Sequence, residues 1–317
     1  MKAVVITEPG GPEKLIYQDV PTPTIRPGWS LVTVKGFGIN HSEIFTRQGL
    51  SPSVKFPRIL GIECVGLIEQ TTDPERLPVG QKVISIMGEM GRAFDGSYAE
   101  KVLLPNTQIY PVTTDLDWAT LATIPETYYT AYGSMLNLHL TAADHVLVRG
   151  GSSGVGIAFL KLVHASFPGI QVTGTSRHLD KKGQLLKQGF DGVVVDQNGH
   201  LQTDQTFDKV LELIGPATMK DTFRHVNEGG IVCSTGQLGH QWYLDQFDPI
   251  MDLAPNSYLT SFYSDNVDND KLKQLLRVIT DRQVDVHPTK IFKLDQVPAA
   301  HAYLESHHSL GKVIVLN

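Results

Sequence analysis

Apolar and polar positions follow two different patterns along the chain. Over residues 1–120, short apolar runs are separated by turn signals such as Pro9-Gly10-Gly11, and few segments repeat apolar residues at the 3.6-residue spacing of a helix. Such runs are typical of β-strands. The strands predicted in this region cover residues 2–6, 31–36, 63–69, 82–86 and 98–104.

From about residue 144, apolar runs alternate with helix-like segments. Continuous apolar strands that alternate with helices predict a parallel sheet covered on both faces. Strands are predicted at residues 145–148, 170–173, 192–195, 209–213 and 230–234, and helices at 155–166, 181–188 and 217–226. We therefore expect this part of the chain to form an α/β fold with a doubly wound parallel sheet.

Further helices and a final strand are predicted on either side of this α/β region. Residues 115–138 are expected to be helical, with Asp115 as the N-cap and an interruption at Pro125. Beyond a polar loop the pattern returns to that of the first region, with helices predicted at 271–282 and 299–305 and a final strand at 312–316. The sequence thus predicts two domains, a β-rich domain of residues 1–120 and 265–317 and a doubly wound domain of residues 121–264.

Length, charge and cysteine content narrow the class of protein. The 317 residues match two domains of about 150 residues each, and a net charge of −6 disfavours nucleic acid as a partner. Two cysteines, Cys64 and Cys233, are too few for a disulfide framework or a four-cysteine zinc site, and Cys64 is expected to be buried. No run approaches the ~18 apolar residues that span a bilayer, and residues 2–6 indicate a first strand rather than a signal peptide. We expect a cytoplasmic protein with no membrane partner.

The strongest local signal is the segment HVLVRGGSSGVGIA at residues 145–158. An apolar strand leads into a glycine-rich turn that opens an apolar helix, and a further strand follows. Glycines let backbone N–H groups approach a pyrophosphate, whose charge is stabilised at a helix N-terminus. Gly150 and Gly156 fit the first and third positions of the Gly-x-Gly-x-x-Gly fingerprint, while Ser153 stands at the second, beside Gly154. We interpret the turn as a dinucleotide-binding site rather than an ordinary glycine turn.

The end of the second strand of this unit selects the cofactor. An acidic residue about 20 positions after the turn would bind the ribose hydroxyls of NAD. The chain has Ser176, Arg177 and His178 there, and its next carboxylate is Asp180. Ser176 could donate to a 2′-phosphate, Arg177 could grip it in a fork, and Lys181 follows one helical turn later. This pattern favours NADPH, and the alternative is a solvated basic start of a helix.

Six short motifs, taken in order, resemble those of the medium-chain dehydrogenase/reductase superfamily, in its zinc-free quinone oxidoreductase branch. The resemblance extends over almost the whole chain and implies a GroES-like β-rich catalytic domain with a Rossmann nucleotide-binding domain. The motifs are GINHSEIFTRQG at 38–49, FPRILGIECVG at 56–66, GSYAE at 96–100, TAY at 130–132, AHAYLES at 300–306 and GKVIV at 311–315.

The chain departs from the zinc enzymes of that superfamily at the metal ligands. Those enzymes hold the metal with a Cys in the first loop and a His in a Gly-His-Glu segment, and here Asn40 and Ile62 stand at these positions. Isoleucine cannot replace an imidazole, so no metal site is expected. Without a metal, the expected acceptor is a quinone or an α,β-unsaturated carbonyl, since conjugation spreads the negative charge onto an oxygen that hydrogen-bond donors can stabilise.

The resemblance also implies the candidate site residues. Asn40, Thr127 and Thr130 are expected to approach the nicotinamide and the substrate. Asn40 could instead be a loop residue that bonds its own backbone, and Thr130, like Tyr132, could be a packing position. Related enzymes often carry a tyrosine after the Arg-x-Gly of the first loop, where this chain has Leu50, so the proton donor stays unassigned. Ligands bind at the carboxyl edge of such sheets. The expected cofactor contacts are Gly150, Ser152, Ser153, Gly154, Val155, Ser176, Arg177, Lys181, Leu213, Ile214, Gly236, Leu238 and Lys312, the last of which could instead lie on the surface.

The predicted function is NADPH-dependent, zinc-independent reduction of a quinone or conjugated carbonyl. Two alternatives stay open, an enoyl-thioester reductase and an NADPH-binding redox sensor with little catalysis. The segment 256–263 is expected to form an edge strand, and the resemblance implies that it pairs two copies into a homodimer. The adjacent His307 and His308 are expected to be solvated rather than to bind a metal.

Overall fold

The computed structural model describes residues 1–306 and 309–317, with the backbone alone at Leu179. The pair His307-His308, expected to be solvated, lies outside the described residues. The chain divides into a first unit of Met1–Thr127, Ser264–Lys273 and Val286–Asn317 and a second unit of Tyr128–Tyr263 and Gln274–Asp285. The domain boundaries expected from the sequence stay a prediction.

The strands are β1 (Lys2–Ile6), β2 (Ile16–Asp19), β3 (Trp29–Gly38), β4 (Arg58–Ile59), β5 (Glu63–Gln70), β6 (Lys82–Ile86), β7 (Lys101–Pro105), β8 (Tyr110–Pro111), β9 (His145–Arg149), β10 (Gln171–Ser176), β11 (Gly192–Gln197), β12 (His200–Leu201), β13 (Phe207–Glu212), β14 (Val226–Ser234), β15 (Tyr258–Ser261), β16 (Lys290–Lys293) and β17 (Val313–Leu316). The helices are α1 (His41–Arg47), α2 (Trp118–Ala122), α3 (Pro125–Asn137), α4 (Gly154–Ser166), α5 (Lys182–Gln188), α6 (Met219–Arg224), α7 (Pro249–Asp252), α8 (Asn269–Asp281) and α9 (Val297–Glu305).

The first unit is β-rich, as the apolar pattern predicts, and its strand pairs are antiparallel except for the parallel pair β16–β17. One sheet has the order β16-β17-β3-β5-β6-β8 with β7 also paired to β3, and a smaller sheet has the order β2-β1-β4. Their apolar sides share one core, in which Phe37 stacks on Tyr98 with ring centroids 4.9 Å apart. Cys64 is fully buried in this core, which confirms its expected place.

The second unit confirms the predicted doubly wound sheet. Its order is β12-β11-β10-β9-β13-β14-β15, and every neighbouring pair is parallel except the short β11–β12 pair. Without β12, this is the 3-2-1-4-5-6 order of dinucleotide-binding sheets, in which the strand order reverses between β9 and β13. The carboxyl ends of these two strands, Arg149 and Glu212, therefore flank the position where such a sheet receives its ligand. The segment expected to be an edge strand contains β15, which does lie at the edge.

Several local predictions need correction. The segment 115–138 holds two helices, and Asp117, not Asp115, is the N-cap of α2, because its Oδ1 accepts from the backbone N of Thr120 at 2.9 Å. Pro125 begins α3, since proline is tolerated in the first turn of a helix. The predicted helix at 217–226 is shorter because the backbone from Val226 already belongs to β14.

Two further segments differ from their predicted form. The strand expected at 98–104 begins later, as β7, and the first-loop motif at 38–49 contains the short helix α1. In residues 1–306 and 309–317, no helix combines the length and the apolar character needed to cross a membrane.

A buried cluster of charges holds the carboxyl end of β9. The Arg149 guanidinium is fully buried and donates to both oxygens of Asp196, at 2.8 and 3.0 Å. It also lies 3.0 Å from Asp221 and donates to the Thr222 hydroxyl at 2.8 Å. Because a guanidinium carries five donors in a fixed plane, one side chain satisfies partners from β11 and α6 at once.

We predict that Arg149→Met lowers the free energy of unfolding of the second unit by about 3–5 kcal/mol, since it leaves buried carboxylates without their cation. Urea unfolding at pH 7 measures the change. The control is Lys101→Met, which removes a partly exposed cation 2.6 Å from Glu69 and should cost about 1 kcal/mol or less. Equal losses in the two variants would contradict a special role for Arg149.

Candidate cofactor and catalytic site

The turn between β9 and α4 has the backbone geometry of a pyrophosphate-binding turn. Gly150 has a φ of +97°, in the region that favours glycine. A Cβ on Gly156 would lie 2.7 Å from the carbonyl oxygen of Gly150 and 3.0 Å from that of Gly151, so the start of α4 packs directly on the turn. Both positions therefore require glycine, as the fingerprint predicts.

Ser153 closes the turn instead of reaching out of it. As the N-cap of α4, its Oγ accepts from the backbone N of Gly156 at 3.1 Å and donates to the carbonyl of Gly150 at 2.8 Å. The backbone N–H groups of Gly154 and Val155 are in the first turn, where no helical carbonyl can pair with them. Together with the adjacent half-buried Ser152, these groups fit the pyrophosphate of a dinucleotide.

The end of β10 carries two neighbouring cations. Ser176 is buried, and its Oγ donates to the carbonyl of His178 at 2.9 Å, so this hydroxyl shapes the turn. Arg177 is exposed and Lys181 is half-buried. Burial lowers the pKa of Lys181, and the positive charge of Arg177 lowers it further, as expected for two cations that face the same region.

The turns after β13 and β14 meet backbone to backbone. A Cβ on Gly236 would lie 2.3 Å from the carbonyl oxygen of Leu213, and the backbone N of Leu238 donates to that same oxygen at 3.1 Å. The structure thus brings together three predicted cofactor contacts from two strand ends, and Ile214 follows directly on Leu213.

Glu212, which the sequence reasoning missed, anchors the turn after β13. It is fully buried, and its Oε1 accepts from the backbone N of Ile214 at 2.7 Å and of Gly215 at 3.1 Å. Burial raises the pKa of this carboxyl, while the nearby Arg149 opposes the shift. A carboxylate directly after the apolar pair Val210-Leu211, at the carboxyl end of a strand, is the sequence signal that could have revealed it.

A second cluster lies in the first unit, around Asn40. This residue is the N-cap of α1, but its side chain makes no capping hydrogen bond. Its Nδ2 donates instead to Glu63 Oε1 at 2.8 Å, and its Oδ1 accepts from Lys312 Nζ at 2.7 Å. Lys312 Nζ also donates to Glu63 Oε1 at 2.5 Å. Two predicted site residues that are far apart in sequence therefore share one buried carboxylate.

Glu43 extends this cluster inward. It is almost fully buried, with its Oε1 3.4 Å from Asn40 Nδ2 and from the backbone N of Ile62. Burial, and then the negative charge of Glu63, raises the pKa of Glu43 to about 8, against the opposing charge of Lys312. Glu43 is therefore protonated at pH 7. Glu43 belongs to the motif at residues 38–49, but its charge state depends on Glu63 and Lys312, which are distant in sequence.

A buried phenol and imidazole lie beyond Glu43. The Tyr98 hydroxyl lies 2.9 Å from His301 Nε2. Burial, and then the charges of Glu43 and Glu63, raises the pKa of Tyr98, whereas burial and the charge of Arg47 lower the pKa of His301 to about 3. This buried phenol–imidazole pair is therefore a polar contact inside a largely apolar core.

Thr127 and Thr130 are both almost fully buried on α3. They are three residues apart, so they lie on the same side of the helix. The carbonyl of Thr130 accepts from the Ser134 hydroxyl at 2.8 Å. Their expected roles near the substrate stay a prediction.

The donor set around Asn40 does not suit a zinc ion. Its Oδ1 faces an ammonium, and Ile62 presents buried hydrocarbon where zinc enzymes have an imidazole. In the part of the chain that the structure describes, no group of three or more His, Cys, Asp or Glu side chains could hold a metal ion.

Family models match both parts of the chain. The alcohol dehydrogenase GroES-like domain matches residues 26–114, and the zinc-binding dehydrogenase domain matches residues 188–315. With the GroES-like and Rossmann-type folds above, these matches show that the chain belongs to the medium-chain dehydrogenase/reductase superfamily. It is an oxidoreductase of this superfamily, and the curated relatives to which it is similar include quinone oxidoreductases.

Individual relatives agree with this placement. The quinone oxidoreductase of Lama guanicoe is 28% identical over 254 residues, which are 75% of this chain and 74% of the relative. The structure of a quinone oxidoreductase from Coxiella burnetii covers the whole chain and 99% of its own, at 22% identity and a TM-score of 0.84. A mycobacterial structure complexed with NADPH covers both chains fully, at 22% identity and a TM-score of 0.84. At these identities the solved structures support the fold.

The raised pKa of Glu43 predicts a dependence of stability on pH. The folded protein keeps this proton up to about pH 8, whereas the unfolded chain loses it near the ordinary value of 4.5, so unfolding becomes easier as the pH rises between these values. Glu43→Gln removes the titration. As the pH rises from 5 to 8, the unfolding free energy of the variant should increase relative to that of the wild type by about 2–4 kcal/mol, measured by urea unfolding.

Glu69→Gln is the control for this measurement. Hydrogen bonds from Lys101 and Thr33 lower the pKa of Glu69, so it titrates below pH 5 in both states and should not change the slope between pH 5 and pH 8. If Glu43→Gln follows the pH curve of the wild type, Glu43 is ionised in the folded protein.

Proposed function

We propose that the protein is an NADPH-dependent reductase that transfers hydride to a quinone or an α,β-unsaturated carbonyl without zinc. The observation that carries the proposal is the hydrogen bond between Asn40 and Lys312, at the position where zinc members of the superfamily have a cysteine ligand. An amide that accepts from an ammonium leaves no ligand for a metal. The reaction must then use an acceptor whose own conjugation accommodates negative charge.

The second unit supplies the residues for the cofactor. The N-terminus of α4 would hold the pyrophosphate, and Arg177 with Lys181 would hold the 2′-phosphate that distinguishes NADPH from NADH. The turns at Leu213–Ile214 and Gly236–Leu238 would position the nicotinamide ring at the carboxyl edge of the sheet. When bound, NADPH supplies the hydride.

The cofactor preference is tested by Arg177→Ala. Removing a charge-assisted hydrogen bond to the 2′-phosphate should raise KM for NADPH about 10- to 100-fold, while KM for NADH, which lacks that phosphate, stays within about twofold. Steady-state oxidation at 340 nm measures both values. Lys187→Ala, at the far end of α5, is the matched control and should change neither. Equal effects of Arg177→Ala on the two cofactors would refute phosphate recognition.

The wild-type protein with a panel of acceptors tests the reaction itself. Oxidation of NADPH by a quinone or a simple enone, with less than stoichiometric zinc in the protein, would support the proposal. Tight NADPH binding without oxidation by any acceptor would favour a redox sensor. Oxidation with long acyl thioesters alone would favour an enoyl-thioester reductase.

We also propose that two copies pair through β15. Tyr258 is 63% exposed and Leu259 is 40% exposed, on a strand that forms an edge of the sheet. Tyr263 lies two residues beyond the end of β15 and is 67% exposed. An exposed apolar strand edge tends to pair with another strand, and β15 of a second copy of this chain would extend the parallel sheet. The expected location of the assembly is the cytoplasm.

The replacement Leu259→Lys tests the dimer, since it would place a positive charge from each copy at the paired strand edge. Sedimentation should show twice 34.9 kDa for the wild type and 34.9 kDa for the variant. Ile16→Lys, an equally exposed strand residue of the first unit, is the control and should stay dimeric. A monomeric wild type would overturn the proposal.

A further inference from the structure

The Lys312 ammonium is fixed at a junction of three elements in the first unit. It precedes β17 and lies between the end of β3 and the start of β5, where it donates to Asn40 and Glu63 at 2.7 and 2.5 Å. A Cβ on Gly38 would lie 2.1 Å from Lys312 Cε and 2.3 Å from its Nζ. Because Gly38 has no side chain, the ammonium can occupy the space in which a Cβ would lie.

The carboxylate that balances Lys312 is shared with other donors. Glu63 Oε1 also accepts from Asn40 Nδ2 at 2.8 Å, and its Oε2 accepts from the backbone N of Glu126 at 2.7 Å. The neighbouring Glu43 is neutral at pH 7, so it adds no second negative charge. Glu63 thus divides its charge among an ammonium, an amide and a backbone N–H.

Among the described residues, the hydrogen bonds of the Lys312 ammonium leave one of its N–H groups available. An ammonium carries three N–H groups, and the hydrogen bonds seen among the described residues take two of them. The third N–H can donate to an acceptor atom from a ligand. The Lys312 side chain is only 5% exposed, and a hydrogen bond is stronger at such a buried site than in water.

We propose that Lys312 is a catalytic residue that donates this third hydrogen bond to the carbonyl oxygen of the acceptor. The inference rests on the proposed function. Bound NADPH would supply the hydride. A nicotinamide C–H bond would break to give NADP⁺, a C–H bond would form on the conjugated acceptor, and the acceptor's π electrons would move to its carbonyl oxygen. The ammonium stabilises that oxyanion and keeps its own proton, while the oxygen takes a proton from water. Asn40 is then a positioning residue, since its Oδ1 fixes the direction of the ammonium.

The competing role for Lys312 is binding a phosphate of the cofactor. The two roles predict changes in different quantities, the Kd for NADPH and the rate of hydride transfer. If Lys312 binds a phosphate, Lys312→Met would weaken NADPH binding and leave the hydride-transfer step intact. If Lys312 stabilises the oxyanion, the same variant would slow hydride transfer about 10²- to 10³-fold and leave the Kd for NADPH within about threefold.

The first experiment measures single-turnover hydride transfer at saturating NADPH, by absorbance at 340 nm, together with the Kd of NADPH by fluorescence. In Lys312→Met we expect the rate loss above, and a greater loss with an enone than with a quinone, because the enone oxyanion needs more stabilisation. Ethylammonium should restore part of the rate of Lys312→Ala. Lys101→Met removes another Lys–Glu pair of the same unit and should react as the wild type does.

A double variant separates catalysis from folding. Lys312→Met leaves Glu63 buried without its cation, which could unfold the first unit. Lys312→Met/Glu63→Gln removes both charges and should fold, as shown by an unchanged circular dichroism spectrum, with the same loss of rate. Either variant with a wild-type hydride-transfer rate, or with a weakened NADPH Kd alone, overturns the proposal.

The second experiment needs no turnover. The bound form of 4-nitrophenol reports its ionisation by absorbance near 400 nm, and its phenolate oxygen mimics the oxyanion. The wild type with NADP⁺ should lower the pKa of the bound phenol by one unit or more, and Lys312→Met should abolish the shift. If the wild type reduces no acceptor yet shows this shift, the proposed reductase function fails and the anion site stands. If the wild type shows no shift, the role of Lys312 is refuted.

Discussion

The buried pair of Lys312 and Glu63 is the interaction on which the first unit depends. It joins residues 249 positions apart, one directly before the last strand of the chain and one at the start of β5. The two side chains are 5% and 0% exposed, so removing one partner would leave a buried charge uncompensated, which destabilises the fold more than removing both. The pair also dictates glycine at position 38, because any side chain there would occupy the volume of the ammonium.

In the second unit, buried charges and glycines also position backbone segments, here the turns at the ends of the parallel strands. Parallel strands end in turns that must lie close together if a flat cofactor is to bind across them. The Gly150 turn lies on α4, and the turns after β13 and β14 touch through their backbones, without intervening side chains. Glu212 and Arg149 then hold the strand ends from inside the protein. The buried charges of the second unit thus help to fix the conformation of the turns at the strand ends.

Much of the fold could be predicted from the sequence because it depends on local patterns. Alternation of apolar runs with helical segments was enough for the parallel sheet, and β1 and β6 begin and end where the apolar runs do. The N-cap of α2 was misplaced by two residues, since Asp115 and Asp117 are both preferred capping residues and only the backbone conformation decides between them.

The site was less predictable because its chemistry depends on contacts between distant segments. The glycine turn was recognised, since its residues adjoin in sequence. The link between Asn40 and Lys312 spans 272 positions, and no local pattern encodes it. The same holds for Glu43, whose proton is retained through burial and through the charge of Glu63. Likewise, the Ser153 hydroxyl turned out to close its own turn, a geometry that residue type alone does not specify.

This closure by Ser153 has a consequence for the thermodynamics of ligand binding. Because the hydroxyl already ties the first residue of the turn to the first turn of α4, the backbone loses its conformational freedom when the protein folds and not when a ligand arrives. A pre-ordered turn lets more of the interaction energy appear as affinity. Calorimetry would register this as a small entropic penalty of association for the pyrophosphate half of a dinucleotide.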